Sequence, residues 1–170
     1  MDLAAYIRSV LDFPKPGVLF RDITTLLKVP KAFREAVDRL AELAWKASPE
    51  LIVAVESRGF ILGGAVAYKL GCGFVPARKP GKLPAEALRE EYALEYGMDA
   101  LEIHRDAVPR GAKVVVLDDL LATGGTAAAT CRLVERLGGK VTRVVFLIEL
   151  TDLKGRERLS KWDVLSIIKY

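Results

Sequence analysis

Apolar positions in this chain follow two rhythms that alternate along its length. Short unbroken runs, Leu51–Val55, Val114–Leu117 and Val144–Leu150, read as strands buried on both faces of a sheet. The run from Val114 extends as a strand to Asp119, and residues 74–79 and 164–168 predict two further strands. Between them, apolar residues recur every three or four positions. Pro30 opens a helix with the stripe Phe33, Val37, Leu40, Ala41 and Ala44. A second helix is predicted from about Phe60 to Leu70, stopped by Gly71, and a third from about Gly125 to Leu137 before Gly138 and Gly139. Residues 154–159 predict a helical turn. Leu3, Ile7, Val10 and Leu11 also fall at helical spacing, so residues 3–11 are expected to form a short amphipathic helix. Phe13-Pro14-Lys15-Pro16-Gly17 then makes a loop, and residues 18–23 read as extended. Residues 80–98 break both rhythms with Pro80, Gly81, Pro84 and a run of acids, and suit a β-hairpin or a mobile flap.

Strands alternating with helices predict an α/β fold, a parallel twisted sheet flanked by helices, in a single domain spanning residues 1–170. Ligands of such sheets bind beyond the carboxyl ends of the strands. Three predicted strands end in polar loops: Glu56-Ser57-Arg58-Gly59, Arg78-Lys79-Pro80-Gly81-Lys82, and Asp118 to Thr126. Their convergence at one sheet edge would form a single cleft.

Composition narrows the function classes. An apolar share of 51% with 28% charged residues suits a folded domain, and no apolar run approaches the ~20 residues of a membrane span. Met1-Asp2-Leu3 offers no basic leader, so cytoplasmic residence is expected and no membrane partner. A net charge of +4 permits nucleic-acid binding, but the basic residues are scattered and no binding motif accompanies them, so no nucleic-acid partner is expected. Cys72 and Cys131 are expected to be buried free thiols. His104 is the only histidine, which excludes a His-rich zinc site, and no G-x-S-x-G stands ready for a hydrolase triad. Asn and Gln are absent, as suits a protein of hot surroundings.

The chemistry concentrates at Val114-Val115-Val116-Leu117-Asp118-Asp119, a short loop from Leu120 to Thr123, and Gly124-Gly125-Thr126 at a helix start. Free N–H groups at that helix N-terminus can bind a phosphate, and the glycines allow close approach. Two acids beside a phosphate would repel it unless something lies between. A sugar whose hydroxyls meet Asp118 and Asp119, with Mg²⁺ nearby, resolves the conflict and describes a ribose 5-phosphate. Arg58 beside Gly59, and Arg78, Lys79 and Lys82, could hold a further anion, although each cluster taken alone also reads as a solvated turn.

The Asp118–Thr126 pattern resembles the phosphoribosyl pyrophosphate (PRPP) signature of the type I phosphoribosyltransferases. More of the chain is similar to the adenine-specific family within that group: residues 12–23, Glu56–Phe60, Arg78–Pro84, Tyr92–Gly97, the signature, and Glu149-Leu150-Thr151. The resemblance implies transfer of a 5-phosphoribosyl group from PRPP to N9 of adenine, giving AMP and pyrophosphate. It implies an N-terminal base-recognising hood over residues 1–30, a flexible flap at about 82–98, and a homodimer. Leu19 and Arg21 would read the adenine edge through their backbone, and Phe20 and Leu150 would pack on the ring. Ala122, Thr123, Gly124, Gly125 and Thr126 would hold the 5-phosphate, and Asp118 and Asp119 the ribose. Glu56, Ser57, Arg58, Arg78, Lys79 and Lys82 would serve PRPP and its pyrophosphate, with Arg58 assisting catalysis. Mg²⁺ would be held mainly by PRPP oxygens rather than by the protein. Glu95 and Tyr96 lie on the implied flap, Glu95 as the proton-transferring carboxylate and Tyr96 at PRPP, whereas Glu90 and Glu91 read as solvated flap carboxylates. Ala122 stands where 6-oxopurine enzymes carry Asp, which favours adenine. The alternatives are an enzyme for another base such as xanthine, a PRPP-sensing regulator, and a generic nucleotide-binding scaffold.

Overall fold

The computed structural model describes residues 1–94 and 97–170; Glu95 and Tyr96, and with them the roles expected there, lie outside the described residues. Two compact units emerge, residues 1–39 and 40–170.

In the first unit a 3₁₀ turn at Ala4–Tyr6 leads into strand β1 (Arg8–Leu11), which pairs antiparallel with β2 (Leu19–Asp22). The helix expected over residues 3–11 is therefore a turn and a strand. Its helical spacing was an accident of four apolar residues, of which Leu3 is buried but Leu11 is 71% exposed. Contacts across the ribbon favour the strand: Arg8 pairs with Asp22, Arg21 donates to Ser9 Oγ, and the Phe13 and Phe20 rings meet edge to face at 5.1 Å. Hydrogen bonds from Arg8 and then from Thr24 pull the Asp22 carboxyl down to about 2. Helix α1 (Thr24–Leu27) follows. Helix α2 (Pro30–Trp45) begins at Pro30 as expected, but its buried stripe is Ala32, Ala36, Val37, Leu40, Ala41 and Ala44, with Phe33 only half-buried.

The second unit is built on a five-stranded parallel sheet: β3 (Leu51–Val55), β4 (Gly73–Ala77), β7 (Lys113–Leu121), β8 (Lys140–Glu149) and β9 (Val164–Lys169), in the order β4-β3-β7-β8-β9. Helix α3 (Arg58–Leu70) joins β3 to β4, and α4 (Gly125–Arg136) joins β7 to β8. Because helices cover such a sheet, its central strands carry apolar residues on both faces, and Val53, Val116 and Phe146 are buried along with Ile52, Leu117 and Leu147. Gly71 caps α3 in the left-handed region at φ 68°, as expected. The strand predicted to reach Lys79 ends at Ala77, and the signature strand runs on to Leu121, past the expected loop start at Leu120. Pairing with β8 as far as Leu121↔Glu149 accounts for that extension.

Strands β5 (Ala87–Ala93) and β6 (Met98–His104) pair antiparallel as a separate hairpin sheet. Tyr92, Leu101 and Ile103 enter the core. Glu90 is not a solvated carboxylate: its side chain is 17% exposed and bonds Arg132 at 2.6 Å and Arg136 at 2.7 Å, both from α4. Glu91, exposed, pairs along its own strand with Arg89 at 3.1 Å. Both cysteines are free, Cys131 buried and Cys72 only half-buried. Among the described residues no helix is long and apolar enough to cross a membrane.

Candidate active site

Neighbouring strands β4, β3 and β7 bring their carboxyl ends to one edge of the sheet. A cavity of about 350 Å³ opens there, lined by Glu56, Ser57, Arg58, Lys79, residues 118–127, Val55 and Phe146. The first and third loops predicted from the sequence thus meet, with Lys79 from the second. Arg78, Lys82 and Leu150 are not among the lining residues. Leu19, Phe20 and Arg21 belong to β2 of the first unit.

The loop of residues 122–126, called the phosphate loop for its expected ligand, is shaped by backbone contacts. Gly124 adopts φ +83°, and a Cβ there would lie 2.4 Å from the carbonyl oxygen of Gly155. A Cβ on Gly155, at the start of the short helix α5 (Gly155–Arg158), would in turn lie 2.3 Å from the carbonyl oxygen of Ala122. Two backbones therefore meet with no room for a side chain between them, and the loop is braced from behind. From Gly125 onward α4 begins, and the N–H groups of its first turn have no intrahelical acceptor, which suits an anion.

The two acids differ. Asp119 is buried, with its carboxylate 2.6 Å from Arg58 Nε. Asp118 packs so closely on α3 that a Cβ at Gly59 would stand 2.6 Å from its Oδ1, and that oxygen also accepts the Asp119 N–H at 2.9 Å. Burial first, and the Asp119 charge second, push the Asp118 carboxyl well above the ordinary carboxylate range.

The cation loop is held by charge and by the hairpin. Arg78 and Glu102 of β6 exchange backbone hydrogen bonds at 2.9 and 2.7 Å, and Glu102 Oε2 accepts the Gly81 N–H at 3.2 Å. Glu56 Oε1 accepts the Lys79 N–H at 2.6 Å, and Lys82 Nζ donates to Glu56 Oε2 at 3.0 Å. Arg78 Nε lies 3.4 Å from Glu56 but is not aligned for a hydrogen bond. Burial would raise the Glu56 carboxyl, yet the Lys79 amide and the Lys82 ammonium outweigh it and hold it below its ordinary value. The Lys79 ammonium pairs with Asp99. Sequence reasoning gave no role to Asp99, Glu102, Phe146 or Gly155, and quoted Tyr92 only as part of a motif. Their parts here depend on pairing between segments distant in sequence, and only the glycine carried a local signal, at the predicted helical turn. The Glu56–Ser57 peptide is cis, which the sequence did not reveal.

Adjacent acids at a strand end, a braced helix N-terminus and the cations Arg58 and Lys79 thus share one cavity. Residues 23–169 match the family model described as "Phosphoribosyl transferase domain", which makes the chain a phosphoribosyltransferase by family. Adenine phosphoribosyltransferase of Thermotoga neapolitana is 56% identical over 170 residues, covering 100% of both chains. The crystal structure of the Thermoanaerobacter pseudethanolicus adenine phosphoribosyltransferase superposes with a TM-score of 0.97 at 54% identity, covering 99% of this chain and 98% of that one. The Saccharomyces cerevisiae enzyme, crystallised with an imino-altritol bisphosphate and adenine, gives 0.91 at 40% identity over 97% of this chain and 96% of that one. The chain belongs to the adenine phosphoribosyltransferase family.

Proposed function

We infer that the chain is a purine-salvage enzyme that transfers the 5-phosphoribosyl group of PRPP to N9 of adenine, releasing AMP and pyrophosphate. The observation that carries this reading is the cavity itself, in which Asp118, Asp119, the phosphate loop and the cations Arg58 and Lys79 face one space. Residues 122–126 take the 5-phosphate through backbone N–H groups, and Asp118 and Asp119 meet the ribose hydroxyls. Glu56 and Ser57 shape the floor, while Arg58, Arg78, Lys79 and Lys82 receive the diphosphate. Charge develops on the ribose carbon and on the departing pyrophosphate, so catalysis is electrostatic placement with water excluded.

Adenine is recognised in this reading by the backbone of Leu19 and Arg21 and by packing against Phe20 and Leu150, within a hood formed by residues 1–30. Ala122 offers a methyl where an acid would favour 6-oxopurines. Residues 82–98 close as a flap, with Tyr96 at PRPP and Glu95 managing the adenine proton. Glu95→Gln is expected to lower kcat roughly 10²–10⁴-fold while calorimetric PRPP binding stays near wild type; an unchanged kcat removes Glu95 from the chemistry.

Mg²⁺ fits this site as a companion of the substrate. Of the three acids that line the cavity, Asp119 is paired with Arg58 and Glu56 with Lys82, so in this reading PRPP oxygens supply most of the coordination. When bound, the ion neutralises charge on the diphosphate. Two free thiols suit the reducing cytoplasm. Ile61, Tyr68 and Phe74 are exposed apolar side chains of the kind a second copy would cover in the homodimer of this reading.

The deciding experiment incubates the protein with PRPP, Mg²⁺ and each nucleobase separately and identifies products by mass. AMP is expected to dominate; equal AMP, IMP and GMP would sink the adenine assignment, and no nucleotide from any base would favour a PRPP-sensing regulator.

A further inference from the structure

Arg58, Arg78 and Lys82 pair with carboxylates that belong to the same three loops. Lys79 does not: its partner is Asp99, at the start of β6 and outside every motif of the sequence. Lys79 lines the cavity, whereas Asp99 is not among its lining residues.

Asp99 is fixed from several sides. Its Oδ1 accepts the Ala100 N–H at 2.8 Å, and its Oδ2 accepts the Tyr92 hydroxyl at 3.1 Å. Tyr92 is itself 5% exposed, and its hydroxyl receives Thr126 Oγ1 at 3.3 Å and Lys79 Nζ at 3.4 Å. The hydrogen bonds run from Thr126 and Lys79 to the Tyr92 hydroxyl and from that hydroxyl to the Asp99 carboxylate. Burial would raise that carboxyl, but the Lys79 and Tyr92 bonds keep it ionised, below its ordinary range. Lys79, by contrast, carries its charge on a flexible four-carbon stem that can swing to another anion.

We propose that Asp99 is a built-in competitor for pyrophosphate, holding the Lys79 ammonium when no diphosphate is bound and reclaiming it as pyrophosphate leaves. This rests on the reading of the cation loop as the pyrophosphate subsite. A bound diphosphate offers more charge than one carboxylate and wins the ammonium. On departure, the half-exposed ammonium returns to a positioned carboxylate rather than to water alone. Asp99 is a positioning residue acting through Lys79, and it sets how tightly this product is held. Tyr92 keeps the carboxylate within reach and ties it to the phosphate loop at Thr126.

The test is calorimetric binding of pyrophosphate with Mg²⁺, and of AMP, to the full chain. Asp99→Asn is expected to tighten pyrophosphate about five- to tenfold, with AMP affinity unchanged within about twofold. Lys79→Met should weaken pyrophosphate, and adding Asp99→Asn to it should restore less than about twofold. Asp99→Ser gives the same readout if the Asn variant does not fold. A carboxylate that merely braces the loop would weaken or leave unchanged the affinity when replaced, and that result overturns the proposal. Equal tightening with and without Lys79 overturns it too, because Asp99 would then act by bulk repulsion. Wild-type protein that binds no pyrophosphate, or a Lys79→Met variant that binds it as well as wild type, defeats the subsite reading and this inference with it.

Discussion

The phosphate loop and the cation loop lie on one sheet edge but are made by different physics. Residues 122–126 take their shape from backbone sterics: a left-handed Gly124, a helix N-terminus, and Gly155 pressed against Ala122. Residues 78–82 take theirs from charge and from a distant hairpin, through Glu56, Glu102 and Asp99. A loop built on backbone contacts has one shape, because interpenetration is forbidden at any ionic strength or pH. One built on ion pairs exchanges partners at small cost, since each carboxylate can be replaced by a better anion. On the proposed reading the difference suits the two ligands, a 5-phosphate that would stay with the sugar throughout and a pyrophosphate that would be gripped and then released.

The largest effect should come from breaking the steric half. Gly155→Ala puts a methyl 2.3 Å from the Ala122 oxygen and 2.8 Å from Leu121 Cδ1, so the loop must shift. A displacement of that size is expected to lower kcat/KM for PRPP by roughly 10²-fold, with weakened binding of AMP and little change for pyrophosphate. Equal losses for both ligands would show that the two loops are not separately built.

A smaller effect is expected at the acids between the loops. Asp118→Asn and Asp119→Asn should each cost on the order of 1–3 kcal/mol in kcat/KM for PRPP with the fold intact. Asp119→Asn should also weaken pyrophosphate, because it loosens Arg58 from its 2.6 Å partner, whereas Asp118→Asn should not. Steady-state kinetics and circular dichroism decide the matter; a double variant with unchanged kcat/KM would remove the ribose role.

The smallest effect separates the halves by acid. Glu56 and Asp99 are held below their ordinary values of 4.5 and 3.8; burial opposes this, and bonds from Lys79 and Lys82 outweigh it. A carboxylate with a depressed folded pKa stabilises the fold above its ordinary value and loses that contribution as pH falls through the folded one. Protection of the 78–82 amides from hydrogen exchange, corrected for the intrinsic rate, should therefore decline below about pH 4.5, while residues 125–130 keep theirs. Parallel decline in both segments would dissolve the contrast.

The same division explains what could be read in advance. The strand from Val114, the acids, the glycines and the start of α4 are contiguous, so the motif and its strand–loop–helix geometry were visible in about a dozen residues. Strand β3 matched its prediction residue for residue because a run of five apolar residues has few alternatives in a parallel sheet. Strand β1 was misread as helix, since its partner lies on β2 and four apolar residues at helical spacing mimic a stripe. Glu90 looked solvated because Arg132 and Arg136 are more than forty residues away on α4.

By itself the sequence determined the alternation of strands and helices, the signature loop, the family and the set of charged residues available to the site. Tertiary structure alone decided which charge faces which: Asp119 with Arg58, Glu56 with Lys82, Asp99 with Lys79, and Gly155 behind the phosphate loop. The physical reason is range. Propensity, apolar period and backbone freedom act over a few neighbours and are written in consecutive residues. Ion pairs and close backbone contacts join segments by position in space, and those positions exist only once the sheet has set its strand order.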